Sequence, residues 1–471
     1  MKNILLCFIA LWVGDLFSQN KEVLYGLEEV PQNLLLNPGS KVPQKFHFGI
    51  PFLSQIHING GASGVSVYDI FQESSTDINS RIRDKIFEMD AKDFFTINEQ
   101  LHIIDFGWLA KNEIYFSGGI YQELDFISYF PKDLAILAWE GNQQYLGYDF
   151  DLGEVSTTGE LLTVFHFGAN KKLNENLTVG VRGKIYSSAL QFQSKNNTGT
   201  FTTRETTDGI NIYEHELRDI DVSVQTSGYT SLRDADGSSE VISEIVGRSL
   251  FGGNLGIGID LGATYDIGRN WTVSGSLLDL GAVFHTNAVE NYESKGNYTV
   301  NGIELIFPPI EGGEPTIPYF SNIEDEFERE VGIDTLNTSY TQLRPLKVNG
   351  AIKYRFGRRV GAGDDCDCYN MGGAIETNQS VGVQVFSVFR PKGPQLAGTL
   401  FYYRRLWQFL STKATYTIDP YSKSNVGLGL VADIGKFNFY IAANNLLRYG
   451  NIAKAKSVSL QLGFNIKINE Q

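Results

Sequence analysis

Hydrophobic and polar residues alternate along several segments of this chain. In residues 457–468 every second side chain is apolar, and the intervening positions carry Ser, Gln, Gly, Asn or Lys. Residues 176–185, 254–267, 347–356, 426–434 and 437–443 follow the same period of two. Such a pattern predicts β-strands that have one apolar face and one polar face.

The length of these segments favours a membrane-spanning barrel. Four of them contain 10–14 residues, whereas soluble strands average about 5–6 and tilted membrane-spanning strands need about 9–11. In a soluble sandwich the apolar face would form the core, but in a barrel it contacts lipid and the polar face lines the lumen. We therefore predict an all-β fold, a transmembrane antiparallel up-and-down β-barrel of about 14 strands, with short helical inserts and a candidate N-terminal plug. A soluble secreted β protein is the alternative.

The first residues predict export. Lys2 precedes an apolar run over residues 4–13, and Ser18 offers a small residue for cleavage, which is the order of a secretory signal peptide. Cys7 lies inside the apolar run, whereas a lipoprotein needs its cysteine at the end of that run. Residues 1–18 are the predicted signal peptide and residues 19–471 one barrel domain, located in the outer membrane of a Gram-negative cell and in contact with its lipid.

A two-residue hairpin turn at Gly435-Lys436 separates the alternating segments 426–434 and 437–443. If both chain ends face the periplasm, this turn lies on the periplasmic side, where short turns belong. The longer connections 418–424 and 448–455 then face outward.

Helical spacing marks three inserts. In residues 77–89 it involves Ile78, Ile82, Ile86 and Met89, which form the candidate plug helix. The surrounding segment, 46–98, is expected to be a plug or a periplasmic or lumen segment. A second helix is predicted over 131–140, and a loop helix over 321–332 begins with Ser321 and Glu324 as a capping box. Each could be a plug, a rim helix or plain loop packing, and plain packing is the more common case for helices in long loops.

Four sequence motifs carry a resemblance to a known family. They are FPKDLAILAWEGN at 130–142, LNPG at 36–39, LLDLG at 277–281 and ANNLL at 443–447. On these residues the chain resembles an uncharacterised family of outer-membrane barrel proteins of the Bacteroidota, known by a domain-of-unknown-function label and similar in plan to FadL-like and PorV-like barrels. Likeness to FadL implies passage of hydrophobic compounds past an amino-terminal plug. Likeness to PorV implies a partner role in protein secretion.

Composition and motifs argue against other classes. A net charge of −15 without any run of Lys or Arg excludes a typical nucleic-acid binder. The six histidines form no metalloprotease pair, and no nucleophile elbow is present. We expect no enzyme and no cofactor. Weak metal-ligand candidates are Cys366, Cys368, Asp365 and Asp367, for which a disulfide or two free thiols are the alternatives.

Charged residues on the polar strand faces are the candidate lumen residues. They are Arg182, Lys184, Asp260, Lys353 and Arg355. Their mild basic excess could favour anionic groups in a pore, and the alternative is a salt-bridged network in a closed lumen. We predict a FadL-like conduit for small hydrophobic compounds. The alternative is a non-transporting partner barrel of a secretion system or surface lipoprotein.

Overall fold

The computed structural model describes residues 21–206, 212–235, 237–300, 319–357 and 378–469, and within them the chain forms a closed antiparallel barrel. The predicted signal peptide and the loop with Cys366 and Cys368 lie outside these residues. The strands are β1 (Gln44–Gly49), β2 (Ile56–Ala62), β3 (Phe94–Leu109), β4 (Ile114–Tyr129), β5 (Asp149–Asp151), β6 (Thr157–Lys172), β7 (Leu177–Ser194), β8 (Thr198–Glu205), β9 (Tyr213–Ser227), β10 (Asn254–Ile267), β11 (Trp271–His285), β12 (Asn291–Val300), β13 (Ile333–Leu336), β14 (Tyr340–Leu343), β15 (Lys347–Phe356), β16 (Gln379–Arg390), β17 (Gly393–Trp407), β18 (Leu410–Ile418), β19 (Asn425–Ile434), β20 (Phe437–Asn444) and β21 (Ser457–Asn469).

Fourteen strands make the wall, as the sequence predicts. β1 and β2 are two parts of the first wall strand, and both pair with β3 on one side and β21 on the other, which closes the barrel. The wall then runs through β3, β4, β6, β7, β10 and β11, continues with β14 and β15 as its eighth strand, and ends with β16 to β21. The remaining strands form an outer sheet in the order β5-β8-β9-β12-β13. This sheet joins the wall where the end of β9 pairs with β7.

The strand faces are arranged in the opposite way to those of a soluble sandwich. In β10 the apolar side chain of Ile257 is 64% exposed, whereas Asp260 is fully buried. In β21 the exposed residues are Leu460 and Phe464, and Gln461 and Asn465 are buried. Apolar residues thus face outward and polar residues face the lumen, which is the arrangement of a transmembrane barrel.

The two ends of the barrel differ. Short connections such as 110–113, 173–176, 268–270 and 435–436 join strands at the end where β1 begins and β21 stops, which we name the turn end. Long connections, 63–93, 130–156, 195–253 and 286–339, lie at the opposite loop end. In outer-membrane barrels the short turns face the periplasm and the long loops face outward.

Six helices occur in the described part of the chain, and all belong to loop-end connections. They are α1 (Val67–Phe71), α2 (Ile78–Glu88), α3 (Lys132–Glu140), α4 (Tyr229–Arg233), α5 (Ser238–Gly247) and α6 (Tyr319–Val331), accompanied by 3-10 turns at Pro31–Leu35, Leu152–Glu154 and Leu446–Lys454 and a π-helical turn at Arg248–Gly252. α2 and α3 match the predicted helices, and α6 begins two residues before the predicted Ser321. Among these residues, no helix is long and apolar enough to cross a membrane.

Residues 21–43, which precede β1, fill the lumen and are named the plug below. Their core includes Leu24, Leu27 and Leu36, which pack with Val431 and Tyr440 of the wall. Because lumen-facing side chains are mostly polar, this apolar core forms only where the plug meets a few apolar wall residues.

The predicted position of the plug was wrong. Helix α2 forms, but it carries no buried residue and lies at the loop end, where Arg83 contacts Glu140 of α3 at 2.5 Å. Within segment 46–98, β1, β2 and the start of β3 belong to the wall. The helical spacing of Ile78, Ile82 and Ile86 therefore marks a loop helix. The plug lacks such spacing because its residues form turns.

Candidate functional site

Two wall lysines hold the main chain of the first part of the plug. The Lys413 ammonium donates to the carbonyl oxygens of Glu22 at 2.8 Å and Tyr25 at 2.6 Å. The Lys467 ammonium donates to the carbonyl oxygen of Glu29 at 2.9 Å. Both lysines are almost fully buried. Hydrogen bonds from a charged donor are stronger than neutral ones, so these contacts anchor the plug firmly.

Ion pairs add to this anchorage near the turn end. Lys353 of β15 contacts Glu28 at 2.5 Å, and Lys41 contacts Asp266 of β10. Burial alone would raise the pKa of Glu28, a plug residue outside the membrane-spanning wall, but the Lys353 and Lys41 ammonium groups hold it below its ordinary value. Glu28 is therefore ionised at neutral pH and strengthens the contact with Lys353.

Gln32 of the plug covers an interruption in the wall. Residues 50–55 separate β1 from β2, and Phe52 in this interruption is exposed toward the outside and has a φ of 61°. The Gln32 amide donates to Asp105 of β3 at 2.8 Å and to Asn465 of β21 at 2.7 Å. The main chain of residues 50–55 still hydrogen-bonds to both neighbouring strands, to Phe464 of β21 and to Ile103 of β3. Gln32 therefore joins β3 and β21 on the lumen side of the interrupted strand.

The LNPG turn packs directly on two glycines of the wall. A Cβ added at Gly180 of β7 would overlap the carbonyl oxygen of Pro38, and one at Gly262 of β10 would overlap the Asn37 side chain. The Asn170 amide also donates to the Pro38 carbonyl at 2.6 Å. The missing side chains thus create the room in which this turn lies.

On the loop-end side of the plug, a group of ion pairs crosses the lumen. We name it the charge layer and define it by Glu123, Asp125, Glu160, Arg344, Lys347 and Arg390. The Arg390 guanidinium contacts both carboxylate oxygens of Asp125, at 2.7 and 2.9 Å. Arg390 lies on the ninth wall strand and Asp125 on the third, so this pair spans almost the full width of a 14-stranded barrel.

Arg344 and Lys347 complete the charge layer. Arg344 contacts Glu123 at 3.0 Å and also pairs with Glu160, and Lys347 contacts Glu123 at 3.2 Å. Arg344 and Glu160 are buried. The layer therefore joins the eighth wall strand to the third and fourth.

A bulge in the LLDLG motif links the layer to its surroundings. The register between β10 and β11 shifts at this point, and Asp279 adopts a φ of 61°. Its carboxylate contacts Lys347 at 2.9 Å and Lys184 at 2.6 Å, and Lys184 also contacts Asp260 at 2.9 Å. The bulge thus directs an additional carboxylate into the lumen.

The plug separates two polar cavities. One, of about 80 Å³, lies between the plug and the charge layer and is lined by Lys21, Leu36, Tyr121 and Arg390 among others. The other, of about 250 Å³, lies toward the turn end beside Glu28 and Arg355. The two cavities lie on opposite sides of the plug, which occupies the lumen between them.

The structure places the five candidate lumen residues on the inner face, in two groups. Arg182 and Lys184 contact Asp260, at 3.5 and 2.9 Å. Lys353 contacts the plug, and Arg355 contacts Asp266 at 3.1 Å. Each cation therefore has a carboxylate partner, as in the salt-bridged alternative.

Three of the six histidines meet in the lumen, which their spacing in the sequence does not show. His47 contacts Asp105 at 3.3 Å, and the rings of His102 and His166 lie 5.5 and 5.6 Å from that of Tyr121. The pairing of β1 with β3, of β3 with β4 and of β4 with β6 brings them together, so only a correct prediction of these pairings could have found them. In the described ranges, no group of three or more His, Cys, Asp or Glu side chains is arranged to hold a metal ion.

This combination of an apolar outer surface, 14 antiparallel strands and a filled lumen defines an outer-membrane β-barrel with an amino-terminal plug. The chain belongs to a family of unknown function, DUF5723, whose model matches residues 38–444. No curated protein matches it in sequence.

Solved structures share the barrel fold at low identity. The toluene transporter TbuX of Ralstonia pickettii is 10% identical, with 96% of this chain and 97% of that chain covered and a TM-score of 0.42. A Pseudomonas aeruginosa FadL homologue is 9% identical, with coverages of 97% and 100% and a TM-score of 0.40. The translocator domain of the autotransporter NalP from Neisseria meningitidis is 6% identical, with coverages of 92% and 91% and a TM-score of 0.32. These likenesses concern the fold alone.

Proposed function

We propose that this barrel is a gated conduit for small, mainly hydrophobic compounds and has no enzymatic step. The observation that supports it is the position of Gln32 at the wall interruption 50–55. When the plug moves, the interruption loses its inner cover, and Phe52 and Leu53 on its outer side are in contact with lipid. Once the main-chain hydrogen bonds of residues 50–55 to β3 and β21 also open, a hydrophobic compound in the lumen has a lateral route into the membrane that avoids water.

The charge layer is the second barrier of this proposal. It closes the lumen on the loop-end side, whereas the plug closes it farther toward the turn end. Passage therefore requires the ion pair between Arg390 and Asp125 to open as well as the plug to move. A compound enters the small cavity between the two barriers before it reaches the interruption.

A reversible cross-link between plug and wall tests the conduit. The side chains of Asn37 and Thr264 approach to 3.3 Å, so Asn37→Cys and Thr264→Cys allow a disulfide to lock the plug. Cys366 and Cys368 are replaced by Ser. We expect oxidised cells to take up radiolabelled toluene more slowly than reduced cells, with recovery after dithiothreitol.

Each single-cysteine variant serves as the control, because it cannot form the lock. Heat-dependent gel migration verifies that every variant folds. Equal uptake by the locked and unlocked forms would contradict a moving plug as the gate.

A second candidate function is that of an accessory barrel for a secretion system or surface lipoprotein. The charge layer, whose ion pairs cross the lumen, and the outer sheet favour it. On that sheet β13 is an edge strand, and its Ile333 is 71% exposed. The accessory role predicts that a specific protein cross-links to the wild type and not to the Ile333→Asp variant, while the disulfide lock leaves toluene uptake unchanged.

Both candidate functions require export of the protein to the outer membrane. We propose that residues 1–18 are removed as a signal peptide in a Bacteroidota-like Gram-negative cell. Amino-terminal sequencing of the protein from outer membranes tests this cleavage.

A further inference from the structure

One part of the connection between β7 and β10 lies against the outside of the barrel. It consists of α5 (Ser238–Gly247) and the turn Arg248–Gly252, which leads back into β10. The Ser187 hydroxyl of β7 donates to the Arg248 carbonyl oxygen at 2.7 Å, and the Arg248 guanidinium donates to the Ala189 carbonyl oxygen at 2.8 Å. Ser187 and Arg248 are both buried by this contact. The segment is therefore fixed to the wall.

An aromatic contact places the segment on the lipid-facing side. The Phe251 ring stacks on the Phe165 ring of β6, with centroids 4.3 Å apart. Phe165 precedes His166, which is buried in the lumen. Because neighbouring strand residues point to opposite faces, Phe165 faces outward.

The outer face of the segment is apolar. Ile242 and Val246 stand one helical turn apart and are 62% and 51% exposed, and Leu250 and Phe251 continue the same stripe at 58% and 50%. The stripe is continuous with Leu255, the first lipid-facing residue of β10. Within the described residues, all four side chains remain at least half exposed, including Phe251 with one face of its ring on Phe165.

The height of the segment matches the boundary of a membrane. Leu255 and Tyr265, both exposed on β10, are separated by 10 residues, which corresponds to about 33 Å along the strand. At a tilt of about 40° the two residues differ by about 25 Å in height, the thickness of the apolar band of such barrels. Since Tyr265 lies near the turn end, Leu255 and the adjoining segment lie at the outer edge of the band.

We propose that α5 and its following turn form an interfacial anchor, which inserts Ile242, Val246, Leu250 and Phe251 into the outer leaflet. The occupant of this apolar surface is membrane lipid at the boundary of headgroups and acyl chains. Its continuity with the lipid-facing surface of the wall, through Phe165 and Leu255, selects lipid over a protein partner. This inference does not depend on whether the barrel conducts compounds.

Spin labels in the full-length barrel test the anchor. Cys366 and Cys368 are replaced by Ser, and a nitroxide is attached at Ile242→Cys or Val246→Cys in phosphatidylethanolamine and phosphatidylglycerol vesicles. We expect relaxation by oxygen, which concentrates in the acyl region, to exceed relaxation by a water-soluble nickel chelate. Glu240→Cys, on another side of the same helix, is the matched control and is expected to show the reverse.

Three outcomes would overturn the anchor. Equal nickel access at Ile242→Cys and Glu240→Cys would show a water-exposed helix. Loss of access to both reagents, with dipolar broadening that increases with protein concentration, would show that a second copy covers the surface. Loss of access only after a native membrane extract is added would indicate another protein partner. The labelled side chains are exposed, so the substitutions leave the wall contacts of Ser187 and Phe165 intact.

Discussion

Arg390 and Asp125 form a bidentate ion pair between wall strands that lie six positions apart in a ring of 14. Such a pair can exist only if the lumen is narrow or flattened at this level. The Asn98 amide also donates to Asp125, at 2.5 Å, so both carboxylate oxygens have polar partners. The ion pair therefore connects opposite sides of the barrel wall.

Removing one partner of this ion pair should destabilise the barrel more than removing both partners. For Arg390→Met we expect a loss of about 3–5 kcal/mol in the free energy of unfolding, because Asp125 keeps a buried charge without its partner. The double variant Arg390→Met with Asp125→Leu should recover most of that loss. Urea unfolding in lipid vesicles, followed by tryptophan fluorescence, measures the cycle. Additive losses in the double variant would show that the two residues are uncoupled.

Single-channel conductance should distinguish the plug from the loop helix. Deletion of residues 76–90 removes α2, which lies outside the lumen, so we expect no conductance steps. Deletion of residues 21–40 should also give none, since the charge layer still closes the barrel. Combined with Arg344→Ala and Arg390→Ala, the plug deletion should give discrete steps. Steps after removal of α2 alone would contradict this arrangement.

Gly180→Ala should loosen the contact between the LNPG turn and the wall. Its Cβ would overlap the Pro38 carbonyl oxygen, and overpacking of this kind costs about 1–3 kcal/mol. Gly183→Ala, on the same strand but on the lipid side, is the matched control because its Cβ would lie 4.0 Å from the nearest atom. Urea midpoints measure both variants. In a barrel without residues 21–40, Gly180→Ala should become neutral, and a persistent loss there would show that the plug is not the cause.

Lys413→Met should release the start of the plug. The substitution removes two charge-assisted hydrogen bonds, to the carbonyl groups of Glu22 and Tyr25, each worth about 1.5–3 kcal/mol. We expect amide hydrogen exchange in residues 22–30 to accelerate at least about tenfold, measured by mass spectrometry. Lys436→Met, in an exposed turn, should leave that exchange unchanged. Equal exchange in both variants would show that Lys413 does not hold the plug.

The wall could be predicted from the sequence because its signal is local. The apolar residues of 254–267 and 347–356 alternate with small and polar ones, and the structure gives β10 and β15 with these bounds. Gly435-Lys436 likewise marks a hairpin between β19 and β20 by itself. Each of these features needs only neighbouring residues.

The lumen could not be predicted in the same way, because its contacts join residues far apart in the chain. Asp125 and Arg390 are 265 residues apart, and Gln32 and Asn465 are 433 apart. The plug has no periodicity that would identify it, and helix α2, which has such periodicity, lies outside. Three of the resemblance motifs nevertheless contribute contacts inside the lumen. Pro38 packs on Gly180, Asp279 contacts Lys184, and the Asn444 amide donates to Glu22 at 3.1 Å.

The covalent link between the plug and β1 limits where a released plug can go. Residue 43 leads directly into the first wall strand at Gln44, on the periplasmic side if the short turns face the periplasm. Residues 21–43 alone extend to at most about 80 Å, roughly three times the height of the apolar band. An unseated plug would therefore remain a tether on the barrel, long enough to reach a protein in the periplasm while its other end stays fixed in the membrane.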